Sequence, residues 1–260
     1  MIKAFYIYVM SLKNSFSARM AYRADFFFSC IMIFISDMLI PFVTLLIYRT
    51  GSSFPGWTMY EVFLIQGVFM LSKGAASLLF FGIVWNTIFR VREGVYDLLL
   101  IKPVSTLFLS VAMDFDIDSI GSFVSGGITI YIAMRGLPMP GIFEWSGFIL
   151  FFCLSLVVQF AFALFMAGSG FKWVGNSRIF EIFDSLTLFG NYPRTIFSKT
   201  FQTIISYIIP VAFIGFFPAY VLLGNDFRGM LPVVLVCFVF LAAGLVFWKY
   251  MLSKYTSAGG

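Results

Sequence analysis

Residues 26–48 read FFFSCIMIFISDMLIPFVTLLIY, and this stretch decides the fold class. Its one charged side chain is Asp37, in a run that is otherwise almost entirely apolar. About 20 apolar residues in a helix are long enough to cross the hydrocarbon core of a bilayer. The stretch therefore predicts a transmembrane helix.

The rest of the chain has the same character. Of its 260 residues, 61% are hydrophobic and 11% are charged, against about 45–50% and about 25% in soluble domains. A soluble domain exposes too much surface to hide so many apolar side chains. The composition predicts an all-α polytopic membrane protein with one transmembrane domain over residues 1–260, and it excludes a large soluble domain.

Six transmembrane helices with their connections use up a chain of this length. Hydropathy places four more spans, at 60–89, 105–134, 143–168 and 230–251. The region from 171 to 223 is harder to assign, because prolines and charges interrupt it. Hydropathy alone favours a simple span at 201–223.

Lysine and arginine predict the orientation, because cytoplasmic loops are enriched in both. With the N- and C-termini inside, Arg49, Arg135 and Arg228 lie outside. The residues then placed inside are Lys3, Lys13, Arg19, Arg23, Arg90, Arg92, Lys102, Lys172, Arg178, Lys249 and Lys254. Residues 1–24 lack the compact apolar core and cleavage site of a signal peptide, so we interpret them as a helix in the cytoplasmic interface. The alternative is a tilted start to the first span.

Several classes of function are excluded by absent motifs. The chain has no GxxxxGK[ST] phosphate-binding loop and no histidine, which removes the commonest general base and metal ligand. Cys30, Cys153 and Cys237 each lie in an apolar run and are interpreted as small hydrophobic residues. We therefore expect no catalytic residue, no metal site and no cofactor in this chain. The net charge of +5 is explained by basic cytoplasmic loops, so no nucleic-acid partner is expected.

The predicted cytoplasmic loop at 89–104 reads FRVREGVYDLLLIKPV. It is short and amphipathic, and Pro103 stops a helix before the next span. One interpretation is an ordinary basic loop. The other is a coupling helix that lies in a groove of a soluble partner, with candidate contact residues Arg90, Arg92, Glu93, Gly94, Val95, Asp97, Leu98, Leu99, Lys102 and Pro103.

The run REGVYDLLLIKPV at 92–104 resembles the corresponding loop of type-2 ABC exporter permeases. Three later runs resemble the same subgroup: NYP at 191–193, IIPVAF at 208–213 and FPAYVLLG at 217–224. In that subgroup, two different small permeases work with one ATPase. The resemblance implies a multi-pass subunit of a prokaryotic cytoplasmic (inner) membrane, an ABC ATPase partner that binds ATP and Mg, and either a second related permease or a second copy of this chain.

The resemblance also implies a second threading of the difficult region. Residues 174–190 become the fifth span, and 191–223 form a re-entrant helical hairpin on the outer side, broken at its prolines. The residues that mark this hairpin are Tyr192, Pro193, Pro210 and Pro218. Proline placement and the resemblance favour the hairpin, whereas hydropathy and the charges at Arg194 and Lys199 favour the simple span.

Charged residues inside predicted spans are expected to pair or to serve function. We predict an ion pair between Lys73 and Asp118, which lie at similar depths on neighbouring spans, with Asp37 as the competing partner. Asp114 and Asp118 share a helical face with Ser122 and Ser125, which indicates either a substrate path or carboxylates still solvated at the interface. The small residues of GSFVSGG at 121–127 allow a close approach of helices.

The resemblance implies that the chain is the membrane permease of an ATP-driven exporter, with no enzymatic activity of its own. An ion-coupled carrier that uses Asp37, Lys73 and Asp118 is one alternative. A membrane assembly factor is another. A cationic amphiphile would suit intramembrane carboxylates, but the same carboxylates also fit a structural role.

Overall fold

The computed structural model describes residues 2–113, 115–173, 178–225 and 231–256. All regular elements in these ranges are helical. They are α1 (Ile2–Ala21), α2 (Arg23–Arg49), α3 (Met59–Ala76), α4 (Gly82–Arg92), α5 (Asp97–Leu100), α6 (Thr106–Ala112), α7 (Ile120–Met134), α8 (Ile142–Ser169), α9 (Arg178–Thr187), α10 (Lys199–Thr203), α11 (Phe216–Leu222) and α12 (Leu231–Leu252).

Among the described residues, five helical stretches are long and apolar enough to cross a membrane. They are Arg23–Arg49, Met59–Arg92, Ile117–Met134, Ile142–Ser169 and Pro232–Leu252. The second is one continuous rod, because a π-helical turn, Ser77–Phe81, joins α3 to α4. The chain is therefore an all-helical, multi-pass membrane protein, as the composition predicted.

The third predicted span is wrong at its start. Helix is not continuous over 105–134, because α6 ends at Ala112 and α7 is preceded by a separate 3₁₀ turn, Ile117–Ser119. Aspartates favour local bonds to the backbone over helix interiors, and the intervening sequence is rich in them. Only Ile117–Met134 has the length and hydropathy of a span. Asp114 lies outside the described residues.

The N-terminal helix predicted at 1–24 is present as α1 and is separated from α2 at Tyr22. It packs against the other helices through Tyr8, whose hydroxyl donates to the Leu79 carbonyl at 3.1 Å. The Tyr8 ring also meets Phe115 edge-on, with centroids 4.8 Å apart. Residues 2–21 thus form a distinct helix that packs against the membrane helices, rather than the tilted start of the first span.

Helices α3 and α7 pack antiparallel and unusually close. A Cβ on Gly126 would lie 2.8 Å from the Leu71 backbone nitrogen and 2.9 Å from the Gly67 carbonyl oxygen, and one on Gly67 would meet the Ile130 nitrogen at 2.9 Å. Only glycine allows this contact between the two backbones. The close approach predicted from the small residues at 121–127 is confirmed.

Contacts define two ends of the bundle. At the end we call lower, Tyr96 packs on Phe171 and Tyr255, with ring centroids 4.9 and 5.5 Å apart. At the opposite, upper end, Trp57 Nε1 donates to the Thr195 hydroxyl at 2.6 Å. The loop at 93–105 and the ends of α8 and α12 therefore share the lower end, and the connection from α2 to α3 lies at the upper end.

In the region that hydropathy left unresolved, residues 178–223 form a series of short helices. A π-helical turn at Ile204–Ile208 ends before Pro210, and a 3₁₀ turn at Val211–Phe213 precedes α11. A single span over 201–223 is therefore wrong. Pro193 and Pro210 stand at breaks as predicted, but Pro218 does not, because it lies in the first turn of α11, where proline is tolerated.

Candidate functional site

The predicted coupling loop is held in a defined shape from its first residues. Helix α4 ends at Arg92, and Gly94 adopts a positive φ of 68°. The Val95 amide donates to the Arg90 carbonyl at 2.9 Å and the Gly94 amide to the Val91 carbonyl at 3.2 Å. These bonds form a Schellman motif, which favours glycine at this position and turns the chain sharply away from the helix.

Two side chains anchor this loop to the lower end of the bundle. Tyr96 is completely buried and Leu99 almost so, within a cluster that includes Phe171 and Trp248. The assignment of Leu99 as a partner contact is therefore wrong, because its side chain faces the core of this chain. These two side chains fix the loop to the helices at the lower end of the bundle.

The opposite face of the loop is apolar and exposed. Leu98 is 59% exposed and Ile101 is 79% exposed, and Val95 and Leu100 extend the same surface. The predicted charged contacts Arg92, Glu93 and Lys102 are also exposed, as is Pro103, whereas Asp97 is half-buried at the start of α5. An apolar patch rimmed by charge has the character of a protein contact surface.

The predicted intramembrane charges do not form one site. Asp37 accepts a hydrogen bond from the Ser125 hydroxyl at 3.1 Å. Asp118 is ion-paired with Arg19, and Lys73 lines a cavity elsewhere. The predicted Lys73–Asp118 pair is wrong, since α1 brings an arginine to the carboxylate instead. The shared site required by an ion-coupled carrier is absent from the described residues.

The pair of Arg19 and Asp118 links α1 to the 3₁₀ turn that precedes α7. Arg19 also reaches Asp25, with Nη1 2.8 Å from Oδ2. Asp118 is only 6% exposed, and its Oδ1 has no hydrogen-bond partner among the described residues. The stability of a buried carboxylate depends strongly on its one cation. This ion pair therefore ties α1 to the 3₁₀ turn.

Lys73 faces a cavity of about 350 Å³ between the α3–α4 rod, α8 and α9. Its polar lining consists of Lys73, Ser77, Gln159, Glu181, Asp184 and Thr187, and its apolar lining of Phe69, Phe81, Trp85, Phe162, Met166 and Ile214. Ser77 and Phe81 belong to the π-helical turn, and such turns are frequent at functional sites because they reorient side chains. The cavity combines charge with aromatic surface.

The wall that α8 contributes is fixed by a buried hydrogen-bond network. Gln159 Nε2 donates to the Ser72 hydroxyl at 2.5 Å, and the hydroxyls of Ser72 and Ser155 are 3.0 Å apart. Such a network holds α3 and α8 in register beside Lys73. A similar buried bond joins α3 to α2, where Gln66 Nε2 donates to the Thr44 hydroxyl at 2.7 Å.

Sequence reasoning missed the carboxylates of this cavity. Glu181 and Asp184 were visible as charges in an apolar segment, and a spacing of three residues puts them on one helical face. Nothing in the sequence indicated the π-helical turn or the partner of Asp118.

The helices, the buried polar residues and the lower loop define a multi-pass membrane protein with the features of a transport subunit. Residues 33–259 match the model of the family described as "ABC-2 family transporter protein", and the chain belongs to that family. No curated protein and no solved structure matches the chain. Membership makes this chain a membrane component of an ABC transporter. Such a component is not itself catalytic, and its family implies association with an ABC ATPase.

Proposed function

We propose that this chain is the permease subunit of an ATP-driven exporter, which moves a small molecule or amphiphile out of the cytoplasm by alternating access. ATP and Mg are bound by separate ATPase subunits. The observation that carries the coupling is the two-sided loop, in which Tyr96 and Leu99 are buried in the bundle and Leu98 and Ile101 are exposed. Closure of the ATPase on the exposed face would move α4 and α6 together.

The proposed topology has six crossings with both termini in the cytoplasm. Phe171 lies at the lower end and Thr195 at the upper end, which supports a fifth crossing that includes α9. Lysine and arginine are concentrated at the lower end, which supports a cytoplasmic location for that end. Helix α1 then lies in the cytoplasmic interface.

A re-entrant hairpin at 191–223 fits the contacts of its two ends. Thr195 lies beside Trp57 at the upper end, and Gly224 borders a small cavity with Leu137 and Met139 of the connection from α7 to α8. Between them, a Cβ on Gly215 would be 2.9 Å from the Ile65 carbonyl, about 9 Å down the α3 rod at 1.5 Å per residue. These contacts support a segment that enters and leaves the membrane on one side.

The proposed setting is a prokaryotic cytoplasmic membrane, where the permease works as a dimer. The second subunit is a related permease or another copy of this chain. Helix α2 supports this, since only 11% of its most apolar window is buried within the chain. An apolar helix that is so little buried within its own chain packs against lipid or a partner subunit.

The coupling proposal predicts that Leu98→Asp abolishes association with the ATPase while membrane insertion is normal. An unpaired carboxylate in an apolar contact costs about 3 kcal/mol, or about a hundredfold in affinity. The measurement is co-purification of the ATPase with tagged permease, quantified by mass spectrometry, together with ATP-dependent transport.

Met139→Asp is the matched control, because Met139 is 92% exposed at the upper end, and it should leave the ATPase bound. Normal recovery of the ATPase with Leu98→Asp would refute the coupling role of the loop.

The topology is tested with single cysteines in a background that lacks the three native ones. Cysteines at Ser52, Met139 and Lys199 should react with an impermeant thiol reagent added to intact cells, and one at Ser253 should react only after permeabilisation. All four side chains are exposed, so access depends on the membrane alone. Protection of the Lys199 position in intact cells would disprove the hairpin.

A further inference from the structure

The cavity around Lys73 lies beside the middle of the α3–α4 rod and is partly open, since Trp85 is 61% exposed and Glu181 and Asp184 are exposed too. Lys73 is 14 residues from the start of α3 and 19 from the end of α4, or about 21 and 29 Å at 1.5 Å per residue. The hydrocarbon core of a bilayer is about 30 Å thick. A space of about 350 Å³ at this depth is large enough for a small organic molecule.

The charged groups of the cavity carry a net negative charge. Lys73 supplies one positive charge, and Glu181 and Asp184 supply two negative charges. Among the described residues, neither carboxylate has a hydrogen-bond or ion-pair partner for its side-chain oxygens. Both side chains are exposed, so they are accessible to a cation that enters the cavity.

The remaining wall is largely aromatic. Phe69, Phe81, Trp85 and Phe162 line the same cavity, and aromatic faces attract organic cations as well as apolar bodies. Gln159 donates its amide N–H to Ser72, and an ionised carboxylate attracts a cation more strongly than a neutral amide or hydroxyl oxygen does, so the two carboxylates are the strongest ligands in this lining. The wall therefore suits a molecule with one positive charge on an apolar, aromatic body.

We propose that this cavity is the substrate site of the permease and that it binds an amphipathic organic cation, held by Glu181 and Asp184 and enclosed by the aromatic residues. The assignment rests on the proposed export function and names the substrate class. Lys73 limits the affinity by repulsion, so that the cation is released when the helices rearrange.

The probe is radiolabelled tetraphenylphosphonium, measured at equilibrium without ATP on the purified full chain in nanodiscs, with empty nanodiscs subtracted. Unlabelled tetraphenylphosphonium should displace the label. Triphenylphosphine oxide, which has a similar aromatic body and no net charge, should displace it at least about tenfold less well, as expected for the loss of one charge interaction at low effective dielectric.

Two variants with opposite expected effects on cation binding distinguish the loss of a charge interaction from damage to the fold. The double variant Glu181→Gln/Asp184→Asn should weaken tetraphenylphosphonium binding by about tenfold or more, and Lys73→Met should strengthen it several-fold. Glu144→Gln is the control, since this carboxylate lies at the upper end beside Gly141 and should not change binding. Thermal stability of each variant identifies any that fail to fold.

Three results would overturn the inference: unchanged binding in the double variant, weaker binding in a stable Lys73→Met, or equal displacement by the phosphine oxide. ATPase co-purification is scored on the same preparations. Failure of cation binding with the ATPase retained refutes the substrate class alone, whereas loss of ATPase association in the native chain refutes the export function.

Discussion

Replacing Gly126 with alanine is expected to lower the free energy of unfolding by about 3 kcal/mol, at the upper end of what overpacking usually costs. The new Cβ would lie 2.8 Å from the Leu71 nitrogen and 2.9 Å from the Gly67 carbonyl oxygen. Both are backbone atoms of α3, so the contact is relieved only if α3 and α7 separate. Thermal unfolding in detergent measures the effect, as an expected fall of about 6–12 °C in the apparent Tm.

The neighbouring residue provides a matched control. A Cβ on Gly127 has no atom within 4 Å, and alanine is a better helix former than glycine by about 0.5–1 kcal/mol. Gly127→Ala should therefore leave the Tm unchanged or raise it slightly. Equal behaviour of the two alanine variants would show that α3 and α7 do not approach as closely as described.

Replacing Arg19 with methionine is the second change expected to have a large effect. It leaves the Asp118 carboxylate buried without its cation. Removal of one partner from a fully buried pair costs about 3–5 kcal/mol, and because Arg19 is 39% exposed we expect a cost at or below the lower end of that range. Replacing Asp118 with leucine at the same time removes the stranded charge, so the double variant should be more stable than Arg19→Met alone. Thermal unfolding of the single and double variants forms the double-mutant cycle that measures this coupling.

Asp25 is the control for this cycle. It bonds the same arginine at 2.8 Å, but its side chain is 62% exposed, and exposed ion pairs contribute about 0–1 kcal/mol. Asp25→Asn should therefore have little effect. If the effects of Arg19→Met and Asp118→Leu on stability simply add, the ion pair between α1 and the 3₁₀ turn does not form.

The long spans could be predicted because hydropathy is a local property. Helices α2 and α8 follow the predicted spans within a few residues, since an apolar run of this length satisfies its backbone in lipid only as a helix. The loop at 89–104 was also recognisable, because its glycine, proline and alternating charge act within a few residues. Which of its side chains are exposed was harder to predict: Leu99 was expected to contact a partner, but it is buried in this chain.

The partners of buried charges belong to the tertiary structure. Similar depths on neighbouring spans predicted Lys73 as the partner of Asp118. The actual partner is Arg19 of α1, 99 positions earlier in the chain. Depth alone does not specify which helices are neighbours, and Asp118 lies in a separate 3₁₀ turn, Ile117–Ser119, rather than in a continuous helix from 105. The cavity likewise needs α3, α4, α8 and α9 together, because no single segment contains both its cation and its carboxylates.

The sequence by itself determined that this chain crosses the membrane as helices, carries a two-faced loop and resembles an ABC exporter permease. Those properties follow from local composition, helical periodicity and short motifs. Only the tertiary structure decided that Arg19 neutralises Asp118, that glycines join α3 to α7, and that Lys73 faces Glu181 and Asp184. Each of these contacts joins residues far apart in the chain, and their pairing is set by how the helices pack.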